Sequence, residues 1–203
     1  PIGDSALLVD DGVERLLNLN DSRPIDPDRL LVQGAIDICL LQFSGAIWYP
    51  MVYELPERAK EALAKKKRTA QFARAARYVE IISPRVVIPS AGPPCFLDDD
   101  LFQWNDVNNA EDSIFPDQRL MVDYLQQAGQ QAVLMLPGSI GTFDAGGKFD
   151  VQHLEGELSV QSVFADKEAY LRTYAKDVAP RIAAEKASWA GPRTDLLADM
   201  KAW

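Results

Sequence analysis

Asp21 is the residue of this sequence whose type and place most directly allow metal chemistry. It closes the stretch Leu17–Asp21, in which leucines alternate with asparagines. In a β-strand this alternation puts Leu17, Leu19 and Asp21 on one face, so Asp21 is predicted to end the row that faces the core. A carboxylate at the end of a buried strand can bind a cation through its oxygens. A turn before Pro24 explains the same residues and stays open as an alternative.

Other features that could support chemistry are few. The sequence has no glycine-rich phosphate loop, no Cys-x-x-Cys and no Gly-x-Ser-x-Gly, and it contains 1 histidine. A metal site with several histidines therefore cannot be built from this chain alone. We interpret that histidine, His153, as a surface or hairpin residue. The run Asp98–Asp100 lacks the alternating spacing of a calcium loop and is predicted to be a solvated loop.

Composition restricts the class of protein. A chain of 203 residues with 47% apolar residues suits one domain with a sizeable core, and a net charge of -9 argues against nucleic acid as a partner. No run approaches the roughly 18 apolar residues of a membrane span. Cys39 and Cys95 without a secretory leader indicate a reducing compartment, so we expect a cytoplasmic protein. The sequence begins at Pro1 without methionine, so a longer parent protein is expected.

The elements that must position these residues follow from hydrophobic patterning and turn signals. Strands alternate with helices, which predicts a layered α/β architecture. Asp10-Asp11-Gly12 between two apolar stretches predicts a β-hairpin. The predicted strands are 5–9, 15–20, 36–43, 85–89 and 132–136, the predicted helices run from 56 to before Pro84 and over 116–127, and a helical tail is predicted over 166–187 and 194–203.

Four segments in order carry a resemblance to a known family. They are GDSALLVDDGVERLLNLNDSRP, DICLLQFSGAIWYPMVY, ARYVEIISPRVVIPSAGPPCFLD and LMLPGSIGTFDAGG. Together they resemble the second half of a metallo-β-lactamase-fold domain, of the type found in CMP-N-acetylneuraminate hydroxylase and its Rieske-linked bacterial relatives. The resemblance implies an αββα sandwich whose C-terminal part is residues 1–150, with a helical tail, 151–203, packing on it.

The resemblance also implies a site. Asp21 matches the strand-ending aspartate that ligates metal in that superfamily, and the metal would be a divalent ion (Zn, Fe or Mn). The remaining ligands are expected outside this chain, because the His-x-His-x-Asp-His run of the first half and the paired Cys-His signature of a Rieske cluster are absent. Ala91 stands where many members carry a late histidine. The loops 44–50 and 90–98 would line the pocket, which gives as substrate-binding candidates Ser44, Gly45, Trp48, Tyr49, Ser90 and Gly92.

Two functions remain as alternatives at this point. One is part of a metal-dependent enzyme, either a hydrolase or an iron-dependent hydroxylase that receives electrons from a Rieske donor, acting on a small molecule with a nucleotide sugar as a candidate. The other is a non-catalytic binding or scaffold domain that kept the sandwich and lost its ligands. Trp48 and Tyr49 are explained equally well as core aromatics. The near-continuous apolar strand 36–43 is predicted to be buried on both faces of the sheet. We therefore expect that the missing N-terminal half or a partner chain covers the second face, because apolar burial stabilises the fold. The segment alone is expected to be inactive.

Overall fold

A computed structural model describes residues 5–92, 95–153 and 160–189 of the chain. The chain divides after Gln161 into two compact units. The strands are β1 Leu7–Asp10, β2 Arg15–Asn18, β3 Ile38–Gln42, β4 Val86–Ser90, β5 Ile140–Phe143 and β6 Phe149–Gln152, and the α-helices are α1 Glu57–Ile82, α2 Gln118–Gln127, α3 Val160–Ala165 and α4 Lys167–Ser188. The mixed α/β class predicted from the sequence is confirmed.

The main sheet has the order β1-β2-β3-β4. β1 and β2 form the predicted antiparallel hairpin, and its turn is closed by Asp10 Oδ1, which accepts a bond of 2.8 Å from the backbone N–H of Gly12. Gly12 has φ +88°, the left-handed conformation that glycine adopts without strain. β2, β3 and β4 are parallel to one another, so their carboxyl ends lie at one edge of the sheet.

One face of the sheet forms the main core of the first unit. Helices α1 and α2 cover it, as their apolar periodicity predicts. The α2 helix begins where Asp117 accepts a 2.9 Å bond from the N–H of Arg119, which satisfies one of the donors left free at a helix start. The sheet residues at the centre of this core are fully buried: Leu17, Leu19, Cys39, Leu41 and Val87.

The opposite face is only partly covered. The β5–β6 hairpin packs on it through Phe149, which joins Val86 and Ile88 in a second apolar cluster. Ile38 and Leu40 are half-buried there, and the outer strand leaves Leu7 58% and Val9 50% exposed. The expectation that the strand at 36–43 is buried on both faces is therefore met on the helix face and met only in part on the other.

The strand predicted over 132–136 is wrong. Only a single parallel bridge, between Val87 and Ala132, is formed there. Val87 N–H donates to Gln131 and Val133 N–H donates to Val87. In a parallel ladder the next donor on β4 would be residue 89, and Pro89 has no N–H, so the pairing stops after one bridge.

The remaining segments give a mixed outcome. The β5–β6 hairpin was not predicted. Helix α4 confirms the helical pattern over 166–187, whereas the helix predicted over 194–203 lies outside the described residues. The packing of the tail on the rest of the chain stays a prediction. Across the described residues, no helix has both the length and the apolar character that a membrane crossing requires.

Candidate functional site at the carboxyl edge of the sheet

Most of the predicted site residues meet at one edge of the main sheet. Asp21 follows β2, Ser44 and Gly45 follow β3, and Ser90 and Gly92 lie at or just after the end of β4. Because these three strands are parallel and in register, their carboxyl ends lie side by side, with Gln42 opposite Ser90. In α/β proteins this edge is where loops form ligand sites. We refer to these residues as the carboxyl edge.

Asp21 does not continue the core-facing row, so that part of the prediction is wrong. The side chain of Asn18 accepts a 2.9 Å bond from the N–H of Asn20, and Ser22 N–H donates back to Leu19. This turn ends the strand, and Asp21 takes a left-handed φ of 56°, which aspartate tolerates better than most residues. The Asp21 side chain is consequently exposed at the edge of the sheet.

The Asp21 carboxylate is held by a neighbour on β3. Gln42 Nε2 donates a 2.7 Å hydrogen bond to Asp21 Oδ1. Among the described residues, Oδ2 of Asp21 accepts no hydrogen bond. A carboxylate fixed through one oxygen, with the other oxygen accessible, is able to bind a cation through the accessible oxygen.

A second polar link joins the flanking strands. Ser90 Oγ donates to Asn20 Oδ1 over 2.5 Å, which ties the end of β4 to the turn after β2. The carbonyl of Pro89 accepts from Gln118 Nε2 of α2. Asn20, Gln42 and Gln118 were not identified from the sequence as site residues, because amides of this kind gain their role only from pairings across the sheet.

Ser44 and Gly45 lie against α1 and carry an unusual polar feature. Ser44 Oγ and Gln71 Oε1 are buried and have no hydrogen-bond partner among the described residues. A Cβ on Gly45 would lie 3.1 Å from Gln71 Nε2 and 3.4 Å from an Arg23 guanidinium nitrogen, so glycine permits this close approach. Buried polar atoms without protein partners are rare, so these two oxygens have hydrogen-bonding capacity that the described residues do not use.

Ala91 and Gly92 complete the edge next to β4. Ala91, at the position where the resemblance expects histidine, has φ 45° and a methyl side chain that cannot ligate metal. A Cβ on Gly92 would lie 3.3 Å from the ring of the buried Phe43, so a larger residue would press on the core. This close packing against Phe43 explains why the chain has glycine at position 92.

The two aromatic candidates, Trp48 and Tyr49, have different surroundings. Trp48 packs in a cluster with Phe96, Trp104 and Phe115 at centroid distances of 5.1–5.4 Å, which supports the alternative that it is a core aromatic. Tyr49 remains 37% exposed and stacks edge-on against Tyr53 at 5.4 Å. Lys67 binds the carbonyl oxygens of Ile47 and Tyr49, and burial lowers its pKa. Of the two, Tyr49 is the side chain that a ligand can reach.

The described residues offer one candidate metal ligand at this edge, Asp21, and not a full set. In the part of the chain that the structure describes, no group of three or more His, Cys, Asp or Glu residues is placed to hold a metal ion. Burial raises the pKa of the Cys39 thiol to about 12, so it is protonated at neutral pH. The Nδ1 of His153 lies 2.8 Å from Ser139 Oγ, beyond the end of β6. Neither residue joins Asp21.

Sequence comparison finds known proteins that are similar to this chain over almost its whole length. No protein-family profile matches the chain. Proteins named "Putative Rieske 2Fe-2S iron-sulfur protein" in two strains of Mycobacterium tuberculosis are 46% identical over 200 residues, which is 97% of this chain and 39% of theirs. A Mycolicibacterium smegmatis protein of the same name is 45% identical over 193 residues, 94% of this chain and 37% of its own. The chain thus spans about two fifths of the length of the curated relatives it matches.

Solved structures give a more distant similarity. CmlA, a diiron β-hydroxylase from Streptomyces venezuelae, aligns with a TM-score of 0.34 and 14% identity over 73% of this chain and 28% of its own. A mutant of the CmlA β-hydroxylase aligns with a TM-score of 0.34 and 18% identity over 64% of this chain and 25% of its own.

Proposed function

We propose that this chain forms part of an iron-dependent oxidoreductase of metallo-β-lactamase fold, which receives electrons from a Rieske centre held elsewhere. The observation that carries the proposal is the Asp21 carboxylate, exposed at the carboxyl edge and held there by Gln42 through a 2.7 Å hydrogen bond. The names of the mycobacterial relatives support iron and a Rieske partner rather than hydrolysis.

Asp21 would be one ligand of the metal. Its oxygens suit iron, manganese or zinc, and Gln42 would keep the carboxylate oriented for binding. The metal, when bound, would activate the small molecule that reacts with the substrate, dioxygen in hydroxylation or water in hydrolysis. Catalytic sites usually take three or more protein ligands, so the other ligands would come from outside the described residues.

A Rieske cluster does not fit the residues of this chain. Such a cluster needs two cysteines and two histidines, whereas the sequence has 2 cysteines and 1 histidine, and Cys39 is buried as a neutral thiol. An electron-donating cluster would thus belong to residues that this chain does not span, or to a partner protein.

The substrate would bind beside Asp21, along the loops that follow β3 and β4. Ser44 Oγ and Gln71 Oε1 would gain partners from a polar group of the ligand, and the close packing of Gln71 and Arg23 on Gly45 would hold Gln71 in place. Exposed Tyr49 would add an aromatic surface. Ser90, held by Asn20, and Gly92 would shape the opposite wall.

The αββα sandwich belongs to the same proposal. Its second sheet would cover the half-buried Ile38 and Leu40 and the exposed Leu7 and Val9 on the face away from α1. Apolar burial contributes roughly 25 cal/mol per Å², so cover by residues outside this chain or by a partner chain would stabilise this face.

Metal analysis of the complete protein tests the proposal. Asp21→Ala is expected to lose most of the iron that is bound outside a Rieske cluster, because it removes a ligand of that iron. Asp99→Ala, in the exposed run at 98–100, is the matched control and should keep its iron. Unchanged iron content in Asp21→Ala would remove the basis for a metal role of Asp21.

A scaffold remains the second candidate, and Ala91 is the observation in its favour. A methyl group stands where a histidine ligand is expected, in a backbone conformation of φ 45° that is costly for alanine. If the complete protein, purified with iron supplied, contains no stoichiometric metal beyond that of a Rieske cluster, the scaffold is the correct function and the oxidoreductase is not.

A further inference from the structure

An open cavity of about 440 Å³ lies between the loop after Ser22 and helix α1. Three arginines contribute to its wall, Arg23 from the loop and Arg74 and Arg77 from the helix. Two carboxylates, Asp26 and Asp28, lie on the loop side. The volume falls within the range of small-molecule sites.

The convergence of the three arginines follows from the local structure. Arg74 and Arg77 are three residues apart on a helix, so they share one face. The hydroxyl of Tyr78, one residue further along, donates a 3.2 Å bond to the carbonyl of Pro24 and fixes the loop on the helix. Arg23 is thereby held on the same side as the two helical arginines.

The charges of the three arginines are balanced only in part by the two carboxylates on the same wall. Within the described residues, none of the three guanidinium groups forms an ion pair, although Arg15 and Arg85 are paired with Asp10 and Asp37. Asp26 faces Arg29 at 3.7 Å instead. Arg74 is half-buried, and its pKa is lowered first by burial and next by the charge of Arg23. Arg74 is thus held near a second positive charge in a partly desolvated place, which costs free energy that an anion would offset, whereas Arg23 and Arg77 are exposed and can reach a ligand from solvent.

We propose that this cavity binds an oxyanion, the phosphate or carboxylate group of a small molecule, between Arg23, Arg74 and Arg77. A guanidinium presents a planar fork of N–H donors that matches either group with two parallel hydrogen bonds. Asp26 and Asp28 on the same wall repel a long polyanion and can accept from hydroxyl or amine groups of the ligand. The site therefore fits a small ligand with one anionic group better than nucleic acid.

Arg23 connects the cavity to the carboxyl edge. A guanidinium nitrogen of Arg23 lies 3.4 Å from the position of a Cβ on Gly45, next to the unsatisfied Ser44 and Gln71. An anionic group held in the cavity would anchor the rest of the ligand towards that edge. Oxyanion binding itself needs no metal, so it can be tested separately from the proposed iron site.

The test is an equilibrium titration of the complete protein, after chelator treatment and desalting, with inorganic phosphate and with succinate at constant ionic strength. We expect one saturable site for at least one of the two probes, and the stronger probe distinguishes a phosphoryl from a carboxylate ligand. Arg23→Gln and Arg74→Gln should each weaken binding about tenfold or more, because a charged hydrogen-bond donor is lost. Arg74→Lys keeps the positive charge and loses the planar fork of donors. Its affinity for the probe should lie between that of the natural protein and that of Arg74→Gln.

Arg58→Gln is the matched control, because Arg58 is exposed on the same helix and does not line the cavity. It should bind the probe as the natural protein does. Arg77→Gln changes an exposed side chain, so it provides a folded variant should Arg74→Gln fail to fold. Absence of saturable binding by both probes, or equal weakening by Arg58→Gln, would overturn the inference. Asp21→Ala should lose the iron bound outside a Rieske cluster and still bind the stronger of the two probes, which separates this site from the metal proposal.

Discussion

Ser90 Oγ and Asn20 Oδ1 lie 2.5 Å apart and join the end of β4 to the turn after β2. The bond spans the end of β3, which lies between the two strands in the sheet. It therefore closes the carboxyl edge around Gln42 and Asp21, which are bonded to each other over 2.7 Å.

Ser90→Ala is expected to lower the free energy of unfolding by about 1–2 kcal/mol, because a partly buried acceptor on Asn20 loses its donor. Urea denaturation of the complete protein measures this change. Ser188→Ala, which removes an exposed hydroxyl bonded to the Glu185 carbonyl, is the control and should change stability by less than about 0.5 kcal/mol. Equal effects of the two substitutions would contradict a special role for the link.

Gln42→Leu tests whether the amide orients Asp21 for metal. Loss of the hydrogen-bond partner that orients a metal-ligating side chain typically weakens metal affinity about 10–100-fold. We expect that range for iron in Gln42→Leu, measured by competition with a chelator, with little change in unfolding. Gln103→Leu removes a hydrogen bond from another glutamine to a backbone carbonyl and should leave iron affinity unchanged. Full iron affinity in Gln42→Leu would show that Asp21 needs no such support.

Local signals in the sequence were sufficient for much of the sheet and its helices. Asp10 and Gly12 specify the turn of the first hairpin through one side-chain bond and one positive φ. The long helix is predicted by its composition and ends at Ile82 before Pro84. The false strand at 132–136 could have been avoided, because Pro89 in the neighbouring strand removes a donor that the pairing needs.

The candidate site depended on contacts that no local pattern contains. Strand periodicity placed Asp21 towards the core, but the side chain of Asn18 captures the N–H of Asn20 and ends the strand early. Gln71 and Arg23 both approach Gly45, although they are far apart in sequence. Such convergence is set by the packing of α1 on the sheet, so it could not be derived from spacing.

Gln71→Met tests whether the buried amide is kept for function. Its Oε1 has no partner within the described residues, so an apolar side chain of similar size removes an unsatisfied acceptor. We expect unfolding free energy to stay equal or rise by about 1 kcal/mol, with weaker substrate binding. Gln126→Met, which loses a 2.9 Å bond to the Ala132 carbonyl, should instead be destabilised by about 1 kcal/mol. Strong destabilisation by Gln71→Met would mean that its amide serves the fold.

The buried thiol of Cys39 predicts how stability depends on alkaline pH. Burial raises the pKa of Cys39 from 9.0 to about 12, so the unfolded chain releases this proton at lower pH than the folded chain does. The stabilising contribution is complete below pH 9 and is lost as pH rises towards 12, at about 1 kcal/mol per pH unit. Urea denaturation at pH 8, 9 and 10 should show a steeper decline for the natural protein than for Cys39→Ala. Cys95→Ala, which changes the exposed cysteine, should keep the steep decline. Identical slopes for Cys39→Ala and the natural protein would show that Cys39 ionises in the folded chain as it does in the unfolded one.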